Sequence, residues 1–337
     1  MSDKMSPAAF NKVAIVGAGA IGGWMGVHLA RAGAKVSVLA RNDTLAALQR
    51  DGLQLHEGGE RYTVPVQASG DAAALGVQDL VVISVKAPAL ASVAQQVAPL
   101  LGPDTVVLTA MNGVPWWFLQ GFGGPVKDRS LRSVDPEGQI ARAIPAEHIM
   151  GSVVHASCSV DAPGVIRHHF GDGHIVGEPS GQITPRAQAL QALLQRAGFN
   201  ATLSPQIQKD IWFKLWGNMT VNPISAITGA TSDRLLDDEL VRGFMSNVMR
   251  EARAIGERIG IPIAQDPEDR HAVTRKLGAF KTSMLQDVQA GKAVELDALV
   301  GAVRELGQMT GVDTPFTDAL LGLSRLHARG LGLYPPQ

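Results

Sequence analysis

The sequence contains a single cysteine, Cys158, among its 337 residues. One cysteine cannot form an intramolecular disulfide, so nothing here indicates an oxidising compartment, and we expect a cytoplasmic protein. An excess of either charge is also missing, since 30 Lys and Arg stand against 31 Asp and Glu. This balance argues against long disordered regions and against a generic nucleic-acid partner.

Long hydrophobic runs are scarce as well. The most apolar stretch, 13–30, is interrupted by five glycines and His28, and no later stretch is long and apolar enough to span a bilayer. We therefore expect no targeting segment and no membrane partner. The length exceeds what one hydrophobic core usually organises, which favours two domains.

The first part of the chain alternates short β-branched runs with helical patterns. This alternation is typical of βαβ units and of a Rossmann-type, doubly wound parallel sheet in the α/β class. The predicted strands are 12–17, 35–39, 79–85 and 105–109, and the predicted helices are 21–32, 44–50 and 87–98.

The pattern changes twice further along the chain. Residues 114–149 are rich in Gly, Pro and Trp, which indicates an insertion or a long surface loop. A strand at 151–160, a hairpin of 164–169 with 174–177 and a helix at 184–197 are predicted next. From residue 204 the period is almost entirely helical, with helices at 206–222, 238–260, 268–279, 297–310 and 314–329. We therefore predict a nucleotide-binding domain at 1–203 and an all-helical domain at 204–337.

A glycine motif, G-x-G-x-x-G, lies between the first strand and the first helix. It comprises Gly17, Gly19, Ala20, Ile21 and Gly22. The first glycine allows a tight turn, the second lets a pyrophosphate approach the backbone, and the third lets helix and strand pack closely. The alternative is a glycine-rich turn without a ligand, but the position between strand and helix favours a dinucleotide site.

The end of the second strand bears on which dinucleotide binds. An NAD site usually has an acid there, about 20 residues past the glycines, to bind the ribose 2′-hydroxyl. This chain has Arg41 instead, which would attract a 2′-phosphate, so we expect NADPH/NADP+. Arg41 as an ordinary solvated charge is the alternative, and Asn42 or Asp43 would serve as a helix cap.

Three polar residues in the helical part share one stripe. Lys214, Asn218 and Asn222 are spaced four apart among mainly apolar neighbours, and Pro223 is expected to bend or end their helix. Polar groups on an otherwise apolar helix are costly unless they meet partners or a ligand. A solvent-facing stripe of an amphipathic helix is the alternative.

Two further groups of polar residues lie in the later part of the chain. Ser283 and Glu295 form a second polar cluster, although Glu295 could be an acid favoured at the start of a helix. His155, Cys158, His168, His169 and His174 lie close in sequence, but neighbouring strand residues point to opposite faces, so we expect no metal site there.

Taken in chain order, these motifs resemble the ketopantoate reductase family. The resemblance covers about 12–325 and rests on the glycine motif, Lys86, Asn112-Gly113, K-x-x-x-N-x-x-x-N-P and S-M-x-x-D-x-x-x-G-x-x-x-E. It implies a Rossmann domain, a helical domain, and NADPH-dependent reduction of ketopantoate to pantoate, a step toward coenzyme A.

The resemblance also implies roles. Lys214 would be the catalytic lysine and Glu295 the acid near substrate and cofactor. Asn112, Asn218, Asn222 and Ser283 would bind the substrate, and Lys86 and Asn112 would lie beside the nicotinamide end of the cofactor. The sequence leaves open another 2-oxo acid as substrate, a non-catalytic NADPH-binding sensor, and a homodimer through the helical domain.

Overall fold

The structure, a computed structural model, describes residues 10–336. The chain divides into two compact units. The first holds the chain up to Met111 together with Gln139–Asp210, and the second holds Asn112–Gly138 and the chain from Ile211 onward. The backbone therefore passes from one unit to the other three times.

The first unit is built around a ten-stranded sheet. The strands are β1 (Lys12–Val16), β2 (Lys35–Leu39), β3 (Leu53–Glu57), β4 (Glu60–Val64), β5 (Gln67–Ser69), β6 (Leu80–Ile83), β7 (Val106–Thr109), β8 (Ile149–Ala162), β9 (Val165–Gly177) and β10 (Asn200–Leu203). Their order is β4-β3-β9-β8-β7-β6-β1-β2-β5, with β10 paired to β9. All neighbours are parallel except β3 with β4 and β8 with β9.

The central strands are short apolar runs because helices cover the sheet. The helices of this unit are α1 (Ala20–Arg31), α2 (Asn42–Asp51), α3 (Ala87–Ala94), α4 (Gln139–Ala143) and α5 (Pro185–Arg196). All four residues of β6 and of β7 are buried, as expected for strands packed on both faces. The α/β Rossmann-type fold predicted from the sequence is confirmed.

The register of the central strands determines where their carboxyl ends meet. Val16 of β1 pairs with Leu39 of β2 on one side and with Ile83 of β6 on the other. The loops that follow β1, β2 and β6 therefore leave the same edge of the sheet, which is where ligands of such sheets bind.

Two predictions for this unit were wrong. The proposed hairpin within 164–177 is one continuous strand, β9, whose partner is β8. Neither Asn42 nor Asp43 caps α2, because Arg41 occupies that position and Asn42, with φ +52°, already belongs to the helix. Strands β3, β4, β5 and β10, which are short and rich in polar residues, were not predicted from the sequence.

The second unit is helical. Its helices are α6 (Ile207–Thr228), which begins in the first unit, α7 (Ser232–Asp237), α8 (Glu239–Arg258), α9 (Pro267–Arg275), α10 (Ser283–Gln289), α11 (Ala302–Thr310), which follows a π-helical turn at Asp297–Gly301, and α12 (Pro315–Gly330). Glu251 of α8 accepts hydrogen bonds from the backbone N–H groups of Phe316 and Thr317, both at 2.8 Å. A buried carboxylate thus satisfies the amino-terminal amides of α12.

Residues 114–149 do not form a surface loop, so the prediction of a surface loop was wrong. Trp117 and Phe118 are fully buried, and the Phe118 ring lies 6.0 Å from that of Trp212 in α6. The residues of this segment up to Gly138 belong, with Asn112 and Gly113, to the helical unit, and Ser133 donates to the Glu305 carboxylate. The aromatic residues here contribute to a core.

Pro223 does not end its helix, because α6 continues to Thr228. Proline removes the hydrogen bond to the Met219 carbonyl and strains the preceding turn. The residues beyond it, Ile224 and Ala226, are buried, and this packing keeps the chain helical.

Candidate functional site

The glycine loop has a separate geometric reason for each of its glycines. Gly17 follows β1 with φ +97°, a conformation that favours glycine. A Cβ on Gly22 would collide with the Ser84 hydroxyl and the Gly17 carbonyl oxygen. A Cβ on Gly19, by contrast, would meet nothing within 4 Å. The first and third glycines are thus required by the fold, whereas the second leaves open space over the backbone.

The helix that follows has the properties of an anion site. Gly19 is the N-cap of the twelve-residue helix α1, makes no side-chain cap hydrogen bond, and is followed by no acid in the first turn. The first amides of any helix, here those of Ala20 and Ile21, have no intrahelical acceptor and carry the positive end of the helix dipole. A pyrophosphate fits this arrangement in charge and in space.

Two cationic residues follow strands that end at the same edge of the sheet. Arg41 is exposed at the start of α2, directly after β2 and Ala40. Lys86 precedes α3, three residues after the end of β6. Residues 40–42 contain no acid, so the position that would bind a ribose 2′-hydroxyl in an NAD site has a guanidinium instead. These features suit a phosphorylated dinucleotide.

The helical unit brings Lys214 together with Asn112. The Lys214 Nζ donates a hydrogen bond to the Asn112 Oδ1 at 2.9 Å. Burial lowers the pKa of Lys214 to about 8, while Glu295 acts to raise it and Arg270 acts to lower it. An amine with such a pKa is mostly protonated at neutral pH and releases its proton more readily than an exposed lysine.

A tight contact between two segments holds these residues in place. Gly113, with φ +85°, packs so closely on Ala298 that a Cβ would lie 2.7 Å from the Ala298 Cβ. The Val114 N–H donates to the Ala298 carbonyl at 2.8 Å. Because Gly113 follows Asn112, and Ala298 lies three residues after the buried Glu295, this contact sets the position of the amide relative to the carboxylate.

The remaining predicted site residues are less closely tied together. Asn218 and Asn222 follow Lys214 along α6 at helical spacing, Asn218 partly exposed and Asn222 buried. Ser283 is exposed as the first residue of α10, behind the N-cap Thr282. Within residues 10–336, no hydrogen bond joins Ser283 to Lys214.

Two residues, one at the glycine loop and one near Lys214, were not predicted from the sequence. Ser84 donates from its hydroxyl to the Gly17 carbonyl at 2.8 Å and so supports the glycine loop. Arg270 of α9 places its guanidinium against Gly217, next to Lys214 in α6. The available signal was Gly217 itself, since glycine in a helix interior is costly and often marks a close approach.

The side chains of His168 and His169 in β9 contact residues of the neighbouring strands. His168 Nδ1 lies 3.0 Å from the Glu57 carboxylate, and His169 bonds to the Ser159 hydroxyl at 3.0 Å. In the described part of the chain, no group of three or more His, Cys, Asp or Glu side chains is placed to hold a metal ion. Residues 10–336 also contain no helix long and apolar enough to cross a membrane.

A Rossmann-type unit with a glycine loop suited to a pyrophosphate, and a helical unit in which a partly buried lysine donates to an amide, are features expected of a dinucleotide-dependent oxidoreductase. Comparison with known proteins narrows this class. Residues 13–181 match the family model described as "Ketopantoate reductase PanE/ApbA". Residues 206–328 match the family model described as "Ketopantoate reductase PanE/ApbA C terminal". The chain belongs to the ketopantoate reductase family.

Individual relatives agree over nearly the whole chain. The 2-dehydropantoate 2-reductase of Mesorhizobium japonicum is 44% identical over 324 residues, covering 96% of this chain and 99% of the relative. A crystal structure of a candidate ketopantoate reductase from Ralstonia solanacearum MolK2 superposes with a TM-score of 0.94 at 57% identity, covering 97% of this chain and all of that one. D-mandelate dehydrogenase with NADH and anilino(oxo)acetate shares the fold, with a TM-score of 0.81 at 22% identity and coverage of 96% and 99%.

Proposed function

We propose that this protein reduces ketopantoate to pantoate with NADPH, with Lys214 as the proton donor. The observation that carries the proposal is the partly buried Lys214 ammonium, hydrogen-bonded to Asn112 and acted on by Glu295. The 2-dehydropantoate 2-reductase relative, similar along 96% of this chain, supports this choice of substrate.

The cofactor would be held by the first unit. Gly17, Gly19 and Gly22 shape the loop, the amides of Ala20 and Ile21 meet the pyrophosphate, and Arg41 meets the 2′-phosphate. Lys86 and Asn112 belong beside the nicotinamide end. NADPH, when bound, supplies the hydride.

Lys214 has the protonation chemistry that the reaction needs. As C2 of the substrate gains a hydride, the electron pair of its C=O bond moves onto the oxygen, which must then receive a proton. The Lys214 Nζ stabilises this developing charge and donates that proton, becoming neutral until solvent restores it. Its pKa of about 8 suits this exchange at neutral pH.

The other polar residues have positioning and binding roles in this proposal. Glu295 keeps Lys214 protonated and holds its amine, since its charge acts to raise the pKa of the lysine. Asn218, Asn222 and Ser283 bind the hydroxyl and carboxylate groups of the substrate, for which amides and a hydroxyl supply suitable donors. A cytoplasmic homodimer completes the proposal. The exposed Leu323 and Leu326 of α12, 61% and 70% accessible, offer an apolar face to a second copy.

The test is NADPH oxidation by the purified protein. Ketopantoate should be turned over fast with NADPH, and pyruvate, other 2-oxo acids and NADH should be poor. Fast turnover of a different 2-oxo acid would replace the substrate and keep the reaction class. Tight NADPH binding without turnover of any 2-oxo acid would indicate a sensor and overturn the proposal.

A further inference from the structure

We propose that Arg270 binds the carboxylate of the 2-oxo acid and thereby selects acids over neutral carbonyl compounds. This assignment rests on the proposed function, because it names the group that recognises the substrate of that reaction. Lys214 then acts on the keto oxygen.

The first observation is the close approach of Arg270 to α6. A Cβ on Gly217 would lie 2.7 Å from the Arg270 Nη2 and 2.8 Å from its Cζ and Nε, closer than real Cβ contacts. A side chain at this position would displace the guanidinium from where it lies. Glycine in a helix interior costs about 1 kcal/mol relative to alanine, so the space is obtained at the expense of helix stability.

The second observation is where Gly217 lies on the helix. It is three residues after Lys214 and one before Asn218, which places it about 60° and about 100° from them around the axis. The Arg270 guanidinium therefore lies beside the proposed lysine and amide. Its charge acts on Lys214.

The third observation is that Arg270 has no acidic partner within residues 10–336. Its hydrogen bond is a long one, 3.4 Å from Nη1 to the Thr274 hydroxyl of its own helix, and its Nε is buried with no partner. By contrast, Arg253 pairs with Glu257 and Asp266. A partly buried guanidinium without a carboxylate is costly, which is explained if a ligand supplies the carboxylate.

Charge and shape both indicate what the ligand is. The charged groups that act on Lys214 are one acid, Glu295, and one further cation, Arg270, so two cations stand against one carboxylate in this group. A 2-oxo acid brings one negative charge. The planar guanidinium binds a carboxylate through two parallel hydrogen bonds, whereas the ammonium is a point donor suited to a single oxygen.

The experiment compares an acid with its neutral counterpart. Ketopantoate and its lactone, which has no free carboxylate, are assayed with the wild type, Arg270→Gln, Gly217→Ala and the control Arg253→Gln. The Gly217→Ala methyl displaces the end of a flexible side chain without removing its charge. Both site variants should raise KM for ketopantoate at least tenfold and leave kcat/KM for the lactone within twofold. Arg253→Gln should change neither.

Two results would overturn the assignment. An unchanged KM for ketopantoate in Arg270→Gln would show that the guanidinium does not bind substrate. An equal loss with acid and lactone would show a structural role.

A binding measurement tests the carboxylate site independently of whether ketopantoate is the substrate. Oxamate, a 2-oxo acid mimic that is not reduced, is titrated into the NADPH complexes of the wild type and Arg270→Gln by calorimetry. At least tenfold weaker binding to the variant supports the carboxylate site even if ketopantoate is not the substrate. Equal binding, or no binding to either protein, contradicts it.

Discussion

The Lys214 Nζ donates a hydrogen bond to the Asn112 Oδ1 although the two residues are 102 positions apart in the chain. Asn112 lies three residues after β7, and Lys214 lies within the first long helix of the second unit. The amide oxygen accepts one of the three ammonium protons and so fixes the position of the amine.

Lys214→Ala should abolish turnover without releasing the cofactor. Removing the proton donor should lower kcat by roughly 10²- to 10⁴-fold, while the dissociation constant for NADPH stays within threefold. The measurements are steady-state kinetics and titration of NADPH fluorescence. Lys209→Ala, an exposed lysine of the same helix, is the control and should behave as wild type. Surviving turnover would mean that another group is the acid.

The pH profile should reveal the lowered pKa of Lys214. Burial lowers that pKa to about 8, so the ammonium predominates below pH 8 and the neutral amine above it. In the proposed mechanism reduction needs the ammonium, and kcat/KM should therefore fall about tenfold per pH unit above 8. The reverse oxidation of pantoate needs the neutral amine, so its rate should rise as the pH approaches 8 and level off above it.

Glu295→Gln should move this alkaline limb to lower pH. Glu295 acts to raise the pKa of Lys214, so loss of its charge lets the amine lose its proton at a lower pH. Glu257→Gln, a change at an exposed acid of α8, should leave the limb in place. If the alkaline limb stays at pH 8 in Glu295→Gln, Glu295 does not raise the pKa of Lys214.

Gly19→Ala and Gly22→Ala should fail in different ways. The Gly19 methyl meets no protein atom within 4 Å, so Tm should stay within 2 °C while NADPH affinity falls at least tenfold, because the methyl occupies the space for the pyrophosphate. The Gly22 methyl would collide with Ser84 and the Gly17 backbone, and overpacking of this kind costs about 1–3 kcal/mol. Thermal unfolding and NADPH titration of both variants check this. Unimpaired NADPH binding by Gly19→Ala would contradict the loop assignment.

Arg41→Ala should weaken NADPH and spare NADH. A hydrogen bond to a charged group contributes about 1.5–3 kcal/mol, so KM for NADPH should rise roughly 10- to 100-fold, with KM for NADH unchanged. Arg50→Ala in the same helix removes an exposed arginine that pairs with Asp51 and should have no effect. Equal effects on both cofactors would assign Arg41 to structure alone.

Much of the first unit could be predicted from local pattern. Buried parallel strands are continuous apolar runs, so β1, β2, β6 and β7 are evident from the sequence. Strand β5 has three residues, Gln67–Ser69, and is formed by its pairing with β2 rather than by any local periodicity.

The helical unit was harder to predict where tertiary contacts decide. Glycines and prolines made 114–149 look like a loop, although Trp117 and Phe118 are core residues. Helix α6 passes through Pro223 because its flanking side chains are buried. Spacing alone placed Lys214 and Asn218 on one stripe, but Arg270 reaches that stripe from another helix, and one sequence contains no signal for such a contact beyond the cost of Gly217.

The second unit is discontinuous in sequence. The chain enters it at Asn112–Gly138, goes back to the first unit, and enters the second unit again at Ile211. A fragment that begins at residue 204 would have every long helix of this unit but neither Trp117 nor Asn112. Its exposed core would promote aggregation, and its lysine would lack its amide partner. The unit is therefore not a transferable module: gene fusion, limited proteolysis or recombination at a single point cannot separate it intact from the nucleotide-binding unit.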